Sequence, residues 1–440
     1  MKNAPDDAEP TALRAAIGKA KWRILPLLGL CYLIAYMDRV NISFAATQMN
    51  DALGFSATIY GIGGGLFFLA YGLFEVPSNM AMLRVGPRRW IARIMISWGI
   101  LAAGMMFVRT PMQFYVLRFL VGMAEAGFFP CAVYYLSSWF PRAERARAIS
   151  WFYLFGPLAA VVMGALSGWL LSLDGLHGLR GWQWLLLMEG LPGVGVGMIV
   201  LYALPDAPPG SHWLDEAERG ALAAQLARDT SRTDGPPPHD LRAILGNPRV
   251  RLLAMMGFLT IGAFYPFILS APKILMIATG MTIQTIGWLV TLGGFVGAVA
   301  MALAGWVMDR QGDRFPTLIA MIIAEAIALV VLALIPGIGP AVGAYLVLSA
   351  ATWVVSLAQV AIWADVLRER ELAIGAAFIN SVSQIGAFVS PIVFGMMKDR
   401  TGTYTAGLLT LPVMLALLLG LVLILRRQVR PQPQLQLAIA

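Results

Sequence analysis

Four charged side chains stand where this sequence is otherwise apolar. Asp38 and Arg39 are adjacent in YLIAYMDRVNISFAA (32–46), and Arg118 and Glu125 lie seven residues apart in RFLVGMAE (118–125). Both runs have the length and hydropathy of a membrane-spanning helix, and one charge at a bilayer centre costs at least ~2.5–3.5 kcal/mol on insertion scales. Seven residues is two helical turns, so Arg118 and Glu125 share a helix face. With all four groups ionised the charges cancel. One reading is structural: buried ion pairs pin two helices together. Desolvation can outweigh the Coulomb gain of such pairs, which weakens that reading as a sole explanation. The chemical reading uses the planar arginine fork, which matches a carboxylate with parallel hydrogen bonds. Asp38 and Glu125, when ionised, compete with an anionic ligand for that fork. Protonating either one frees it, so proton and anion bind cooperatively, and linkage makes the effect mutual.

The elements that must hold these groups follow from composition. Of 440 residues, 59% are hydrophobic and 13% charged, against about 25% charged in soluble domains. A spanning helix needs about 20 apolar residues. Twelve candidates satisfy that: 24–48, 58–83, 90–108, 112–139, 147–172, 183–204, 250–271, 283–307, 316–336, 340–364, 372–397 and 404–425, hereafter spans 1 to 12. They divide the chain into a polar N-terminal segment (1–23), a six-helix half (24–204), a polar central loop (205–249), a second six-helix half (250–425) and a tail (426–440). Within the loop, WLDEAERGALAAQLARD reads as a surface helix and TDGPPPHD as a flexible break. The first apolar run exceeds a signal-peptide h-region of about 7–15 residues and reads as a retained span.

Charge placement tests the count. With both termini cytoplasmic, 25 of the 32 Lys and Arg fall in or at the margins of the cytoplasmic segments, five fall in the outer loops, and Arg39 and Arg118 lie within spans. A miscounted span would destroy that asymmetry. The net charge of +8 is therefore a topology signal, and nucleic acid is not an expected partner. Cys31 and Cys131 lie in apolar runs, and His177, His212 and His239 lie in connecting segments. That pattern offers no disulfide framework, metal-ligand spacing or covalent catalytic constellation, so an enzyme is not expected.

The halves repeat. Asn79, Arg84, Gly86 and Arg88 align with Gly305, Arg310, Gly312 and Arg314 at an offset of 226, and ERARAI (144–149) aligns with ERELAI (369–374) at 225. Parallel duplication of six-helix halves describes one group of secondary transporters.

Gly305-x-x-x-Asp309-Arg310-x-Gly312-x-Arg314 resembles the loop signature of the major facilitator superfamily. The first copy departs from it, with Leu83 where the acid is expected. AYMDRVN, FEVPSN, RFLVGMAEAGFFP, GWQWLLLMEGLPG and NSVSQIGAFVSP are similar to the anion:cation symporter branch, which holds bacterial permeases for tartrate, sugar acids, phthalate and hydroxyphenylacetate. The likeness covers residues 20–425. It implies an all-α membrane fold of twelve helices in two pseudo-symmetric halves, no cofactor beyond the coupling proton, and a bacterial inner-membrane protein working as a monomer in lipid. It implies that Asp38 and Glu125 couple protons and that Arg39 contacts a substrate carboxylate, with Arg118 either tuning Glu125 or touching substrate. Arg84, Gly86, Arg88, Asp309, Arg310, Gly312 and Arg314 would form the gating loops.

Further candidates rank behind these. Tyr36 and Tyr71 would donate hydroxyls to a central cavity or be satisfied interior tyrosines; Tyr71 matches a cavity position of the family. A cavity needs walls from both halves, and Thr352, Trp353, Asn380 and Ser381 are the second half's candidates. Gln359 and Gln384 read as interhelical hydrogen bonders. Glu75 and Glu189 read as structural, and Glu325 as a locally bonded or lipid-interface acid. The glycines at 61, 63, 64, 65, 293, 294 and 297 suit close, sliding helix contacts. The expected function is proton-coupled uptake of a small organic anion. Phe155-Gly156 and the aromatic run FFPCAVYYL favour tartrate-like or aromatic carboxylates over long polyhydroxy acids. The competing transporter reading is export of organic acids or hydrophobic compounds by proton antiport.

Overall fold

The computed structural model describes residues 8–231, 246–367 and 369–429. The TDGPPPHD break and residues 430–440 of the tail lie outside them. Among the described residues, twelve helices are long and apolar enough to cross a membrane, one for each expected span. The architecture is all-α.

The helix of span 1 runs Ala8–Leu53, so it continues without a break through the boundary expected at residue 23. Ser56 caps span 2 by accepting from the Ile59 amide. Thr110 and Gln113 form a reciprocal capping box ahead of span 4, with Pro111 at its first position. Each such cap satisfies amides that the helix itself leaves open.

Two spans expected to be continuous are broken. Span 4 consists of Pro111–Glu125 and Phe128–Trp139. Pro130 has no amide to offer the Ala126 carbonyl, and its ring crowds that position. Gly127, at φ 84°, completes the break. A side chain there would also strike the Ser78 hydroxyl of span 2, 2.5 Å from where its Cβ would stand. Span 5 divides at Leu154 into Arg142–Tyr153 and Phe155–Leu171, three residues before Pro157, which acts in the same way. Glu125 thus ends a helix instead of sitting within one.

The halves meet along two seams. Spans 2 and 11 pack backbone to backbone, with Gly61 against the Pro391 carbonyl and Gly65 against that of Phe388. Spans 5 and 8 do the same where Gly164 faces Gly287 and Thr291. The face carrying the basic loops is called here the basic face. Cross-half bonds gather toward the other face: Lys273 Nζ to Asp51 Oδ2 at 3.0 Å, Tyr60 Oη to the Leu269 carbonyl at 2.9 Å, and Asp399 accepting from the amides of Ala57 and Thr58 at 3.0 and 2.8 Å. Asp399 on span 11 therefore caps the start of span 2 in the other half. The central helix Glu216–Ser231 is not free on the surface: Leu222 is fully buried, and Glu218 pairs with Lys19 at 2.6 Å.

Candidate functional site

Neighbouring residues on a helix point about 100° apart, so Asp38 and Arg39 meet different partners. Arg39 forks onto one oxygen of Glu125, with Nη2 at 2.7 Å and Nε at 3.2 Å from Oε1. Asp38 faces Arg118 instead, Oδ2 to Nη1 at 3.7 Å. The pairs are crossed between spans 1 and 4. Arg118 is therefore paired directly with Asp38 and not with Glu125, and Arg39 lies outside Asp38's pairing.

The pairs differ in quality. The Arg39 side chain is 19% exposed, whereas those of Glu125, Arg118 and Asp38 are each 2% exposed. Glu125 Oε2, Asp38 Oδ2, and Nε and Nη1 of Arg118 are buried without a hydrogen-bond partner. Asn41 reaches Asp38 Oδ1 only at 3.5 Å. One pair is short and has a partly exposed arginine; the other is long and enclosed.

Aromatic rings surround the arginines. The Arg39 guanidinium lies 5.2 Å from the Tyr71 ring, 5.7 Å from Phe67 and 5.9 Å from Tyr36, and Arg118 lies 4.7 Å from Phe67. Phe67 is therefore shared by both cations, and its π-face supplies attraction without a competing charge. From the second half, Tyr265 Oη accepts from Arg39 Nη1 at 3.4 Å. The wall continues through Tyr32, which stacks on Phe152 at 4.7 Å, and through Tyr36, 5.6 Å from Trp353. Gly156 leaves room for Trp353 and Tyr32, whose ring atoms stand 3.2 and 3.3 Å from where a Cβ would be. Beside Trp353 a narrow cavity of about 60 Å³ is lined by Tyr36, Phe267, Tyr345, Ser349 and Thr352. A separate cavity of about 270 Å³, lined by Asp51, Tyr60, Lys273 and Asp399, opens toward the other face and does not include the four charges.

The second-half candidates separate. Trp353 closes on Tyr36. Thr352 donates to Glu325 Oε1 at 3.0 Å, so its hydroxyl is committed to span 9. Glu325 is buried, which removes the lipid-interface alternative and leaves the local bond. Asn380 Nδ2 donates to Glu75 Oε2 at 2.7 Å across the halves. Ser381 bonds its own helix at the Ala377 carbonyl, 3.0 Å away. Gln359 meets Thr260, a neighbouring helix as expected.

In the loops, Gly86 and Gly312 both have positive φ, 95° and 68°, which glycine adopts without strain. Arg88 pairs with Asp206 at 3.3 Å and Arg314 with Asp365 at 2.7 Å. Asp313 pairs with Arg426 at 3.1 Å. Each half thus ties its loop to the end of its last span or just past it, with the charges reversed: a loop base to the acid at 206, after span 6, and a loop acid to the base at 426, in the last turn of span 12. Arg310 stacks on Trp306 at 3.9 Å, while Arg84 and Asp309 are exposed.

Glu75 was read as structural, and Tyr265, Tyr32 and Phe67 were not singled out. One signal was present for Tyr265. It stands 226 residues after Arg39, at the offset of the internal repeat.

The chain matches the family model described as Major Facilitator Superfamily over residues 28–277 and 253–439. A protein of Agrobacterium vitis, provisionally named a tartrate transporter, is 40% identical over 428 residues, covering 96% of this chain and 93% of that protein. A quinolone resistance transporter of Acinetobacter baumannii is 33% identical, covering 91% and 92%. The crystal structure of a bacterial homologue of the human lysosomal transporter Spinster, inward-facing and unoccupied, superposes with a TM-score of 0.76 over 92% of this chain and 97% of that one, at 19% identity. The chain belongs to the major facilitator superfamily. It is a multi-pass secondary active transporter and not an enzyme.

Proposed function

We propose that the chain imports a small organic anion, tartrate-like in size and bearing at least one carboxylate, together with protons. It would do so as a monomer in a bacterial inner membrane, with both termini and the central loop in the cytoplasm. The observation that carries this reading is the Arg39–Glu125 pair. Arg39 is the partly exposed member of the four, and Glu125 holds it through a single oxygen. A substrate carboxylate takes the same fork once a proton neutralises Glu125. Asp38 acts one layer deeper: its protonation releases Arg118 and changes the field at Arg39. The A. vitis relative's name supports the substrate class, and the basic loops support the orientation.

Cross-half packing away from the basic face supports a state whose site communicates with the cytoplasm. Substrate and proton would leave in this state, and rocking of the halves about the two glycine-lined seams would return the site to the outside. A second reading, proton-antiport export of aromatic acids or hydrophobic compounds, draws on the Tyr32–Phe152–Tyr36–Trp353 wall and the quinolone-resistance relative. Proteoliposomes holding purified protein separate the two. Labelled tartrate should accumulate under an inward proton gradient and not without one. Tartrate-independent, proton-driven efflux of a fluoroquinolone, with no tartrate uptake, would replace the first reading by the second.

A further inference from the structure

Glu75 and Asn380 make a charged cross-half bond within the membrane, at the innermost level of the seam between spans 2 and 11. The seam runs from Gly61 against Pro391 through Gly65 against Phe388 and Gly72 against Gln384 to this pair. At the other seam the corresponding polar link is neutral: Thr291 Oγ1 donates to the Val161 carbonyl at 3.0 Å. Glu75 lies one helical turn from Tyr71, whose ring borders the Arg39 guanidinium at 5.2 Å. Glu75 is only half-buried. A carboxylate held by an amide from the second half, near the arginine of the first half, has the arrangement a bound organic anion would have.

We propose that Glu75 is a tethered carboxylate that stands in for substrate. It occupies the Asn380 amide while the site is empty, holds spans 2 and 11 together, and is displaced when an anion bridges Arg39 and Asn380. This rests on the anion-transport reading. Displacement gives substrate a way to unlock one seam only, so binding and rocking are linked without a new contact to the seam's glycines. It also explains why an acid stands at this seam: the bond to a charged acceptor is roughly twice as strong as a neutral one. The lock is therefore firm without ligand and replaceable by a ligand of like charge.

The test has a ligand-free arm and a ligand arm. Cys31 and Cys131 are buried, so Ser270→Cys in the larger cavity gives a single reporter for maleimide labelling. Glu75→Gln should speed labelling, because a weaker lock lets the seam open at that face. Glu75→Ala should speed it further. Labelling at the wild-type rate in both variants overturns the lock. In the ligand arm, Glu75→Gln should bind tartrate about two- to tenfold more tightly, since the competing charge is gone. Asn380→Ala should weaken tartrate binding, and Glu75→Gln should add no gain in that background. Tighter binding that survives Asn380→Ala, or unchanged binding in Glu75→Gln, overturns displacement. If the wild-type protein binds no tartrate, the proposed function fails, and the lock stands or falls on the labelling rates alone.

Discussion

The two ion pairs between spans 1 and 4 share the same chemistry and differ in setting. Arg39–Glu125 is short, at 2.7 Å, and its arginine is partly exposed. Arg118–Asp38 is long, at 3.7 Å, and closed on all sides. Buried charges that lose a partner are costly, because no water enters to replace it. A charge at a cavity wall can exchange its partner for a ligand or for solvent. On the proposed cycle the first pair breaks when substrate binds, and the second opens only when Asp38 is protonated. The same distinction explains why Phe67 touches both arginines: it screens the enclosed pair from the cavity-facing one.

The largest effect should come from the enclosed pair. Arg118→Met leaves Asp38 unpaired in the interior, and loss of one partner of a buried pair costs about 3–5 kcal/mol. Folded yield and apparent Tm in detergent should fall sharply. Adding Asp38→Asn should recover much of the loss, since no naked charge then remains. Arg39→Met should lower the Tm less, because Arg39 is the partly exposed member of its pair and its removal admits water to Glu125. Equal losses for the two arginines would erase the distinction between the pairs.

Arg39→Lys should leave the fold intact and strike binding instead. Lysine keeps the charge and loses the planar fork. Loss of a charge-assisted bidentate contact costs about 2–3 kcal/mol, roughly 30- to 150-fold in Kd for a carboxylate. Tartrate titration by intrinsic tryptophan fluorescence measures it. A Kd equal to that of the wild type would make Arg39 a structural partner of Glu125 alone.

Glu125→Gln should remove coupling more than binding. In the wild-type protein, affinity for the anion should rise as pH falls, because protonated Glu125 releases Arg39. The sign follows from competition: the charged acid favours the empty site and the neutral acid the occupied one. In Glu125→Gln the Kd should change little with pH, uphill uptake under a proton gradient should vanish, and counterflow should persist. Accumulation at the wild-type level would move proton coupling elsewhere.

Much of this arrangement was legible before the structure. Span count follows from apolar run length, and the two halves from offsets of 225 and 226. The four charges stand out because apolar neighbours make them expensive. The pairing was not legible. Residues 38 and 39 are adjacent in sequence, but which of them faces the cavity depends on how span 1 is rotated against span 4, and local pattern does not encode that rotation. The breaks at 126–127 and 154 were available from Pro130 and Pro157, which lie inside runs apolar enough to be read as continuous helices. The partner of Glu75 was not legible, because Asn380 lies 305 residues away, and a contact between halves leaves no spacing signal in either.

The smallest effect, and the sharpest check on how the cavity-facing pair is held, belongs to Tyr265. Its hydroxyl accepts from Arg39 at 3.4 Å, the long end of hydrogen-bond geometry. Its ring lies 4.0 Å, centroid to centroid, from that of Phe68. Tyr265→Phe keeps the ring packing and removes only the hydroxyl. A well-formed hydrogen bond from a charged donor contributes about 1.5–3 kcal/mol, and a contact as long as 3.4 Å falls well below that, roughly two- to threefold in Kd. Stability should not change measurably, because Arg39 keeps both contacts to Glu125. The repeat places Tyr265 opposite Arg39, so the second half meets the anion site with a neutral hydroxyl where the first half uses a cation. A charge there would have given substrate two competing forks, whereas a hydroxyl can yield when the halves separate. Counterflow in Tyr265→Phe should therefore proceed at close to the wild-type rate. If Tyr265→Phe instead costs as much as Arg39→Lys, Arg39 is positioned from the second half, and the Arg39–Glu125 pair is not the self-contained switch that its 2.7 Å contact implies.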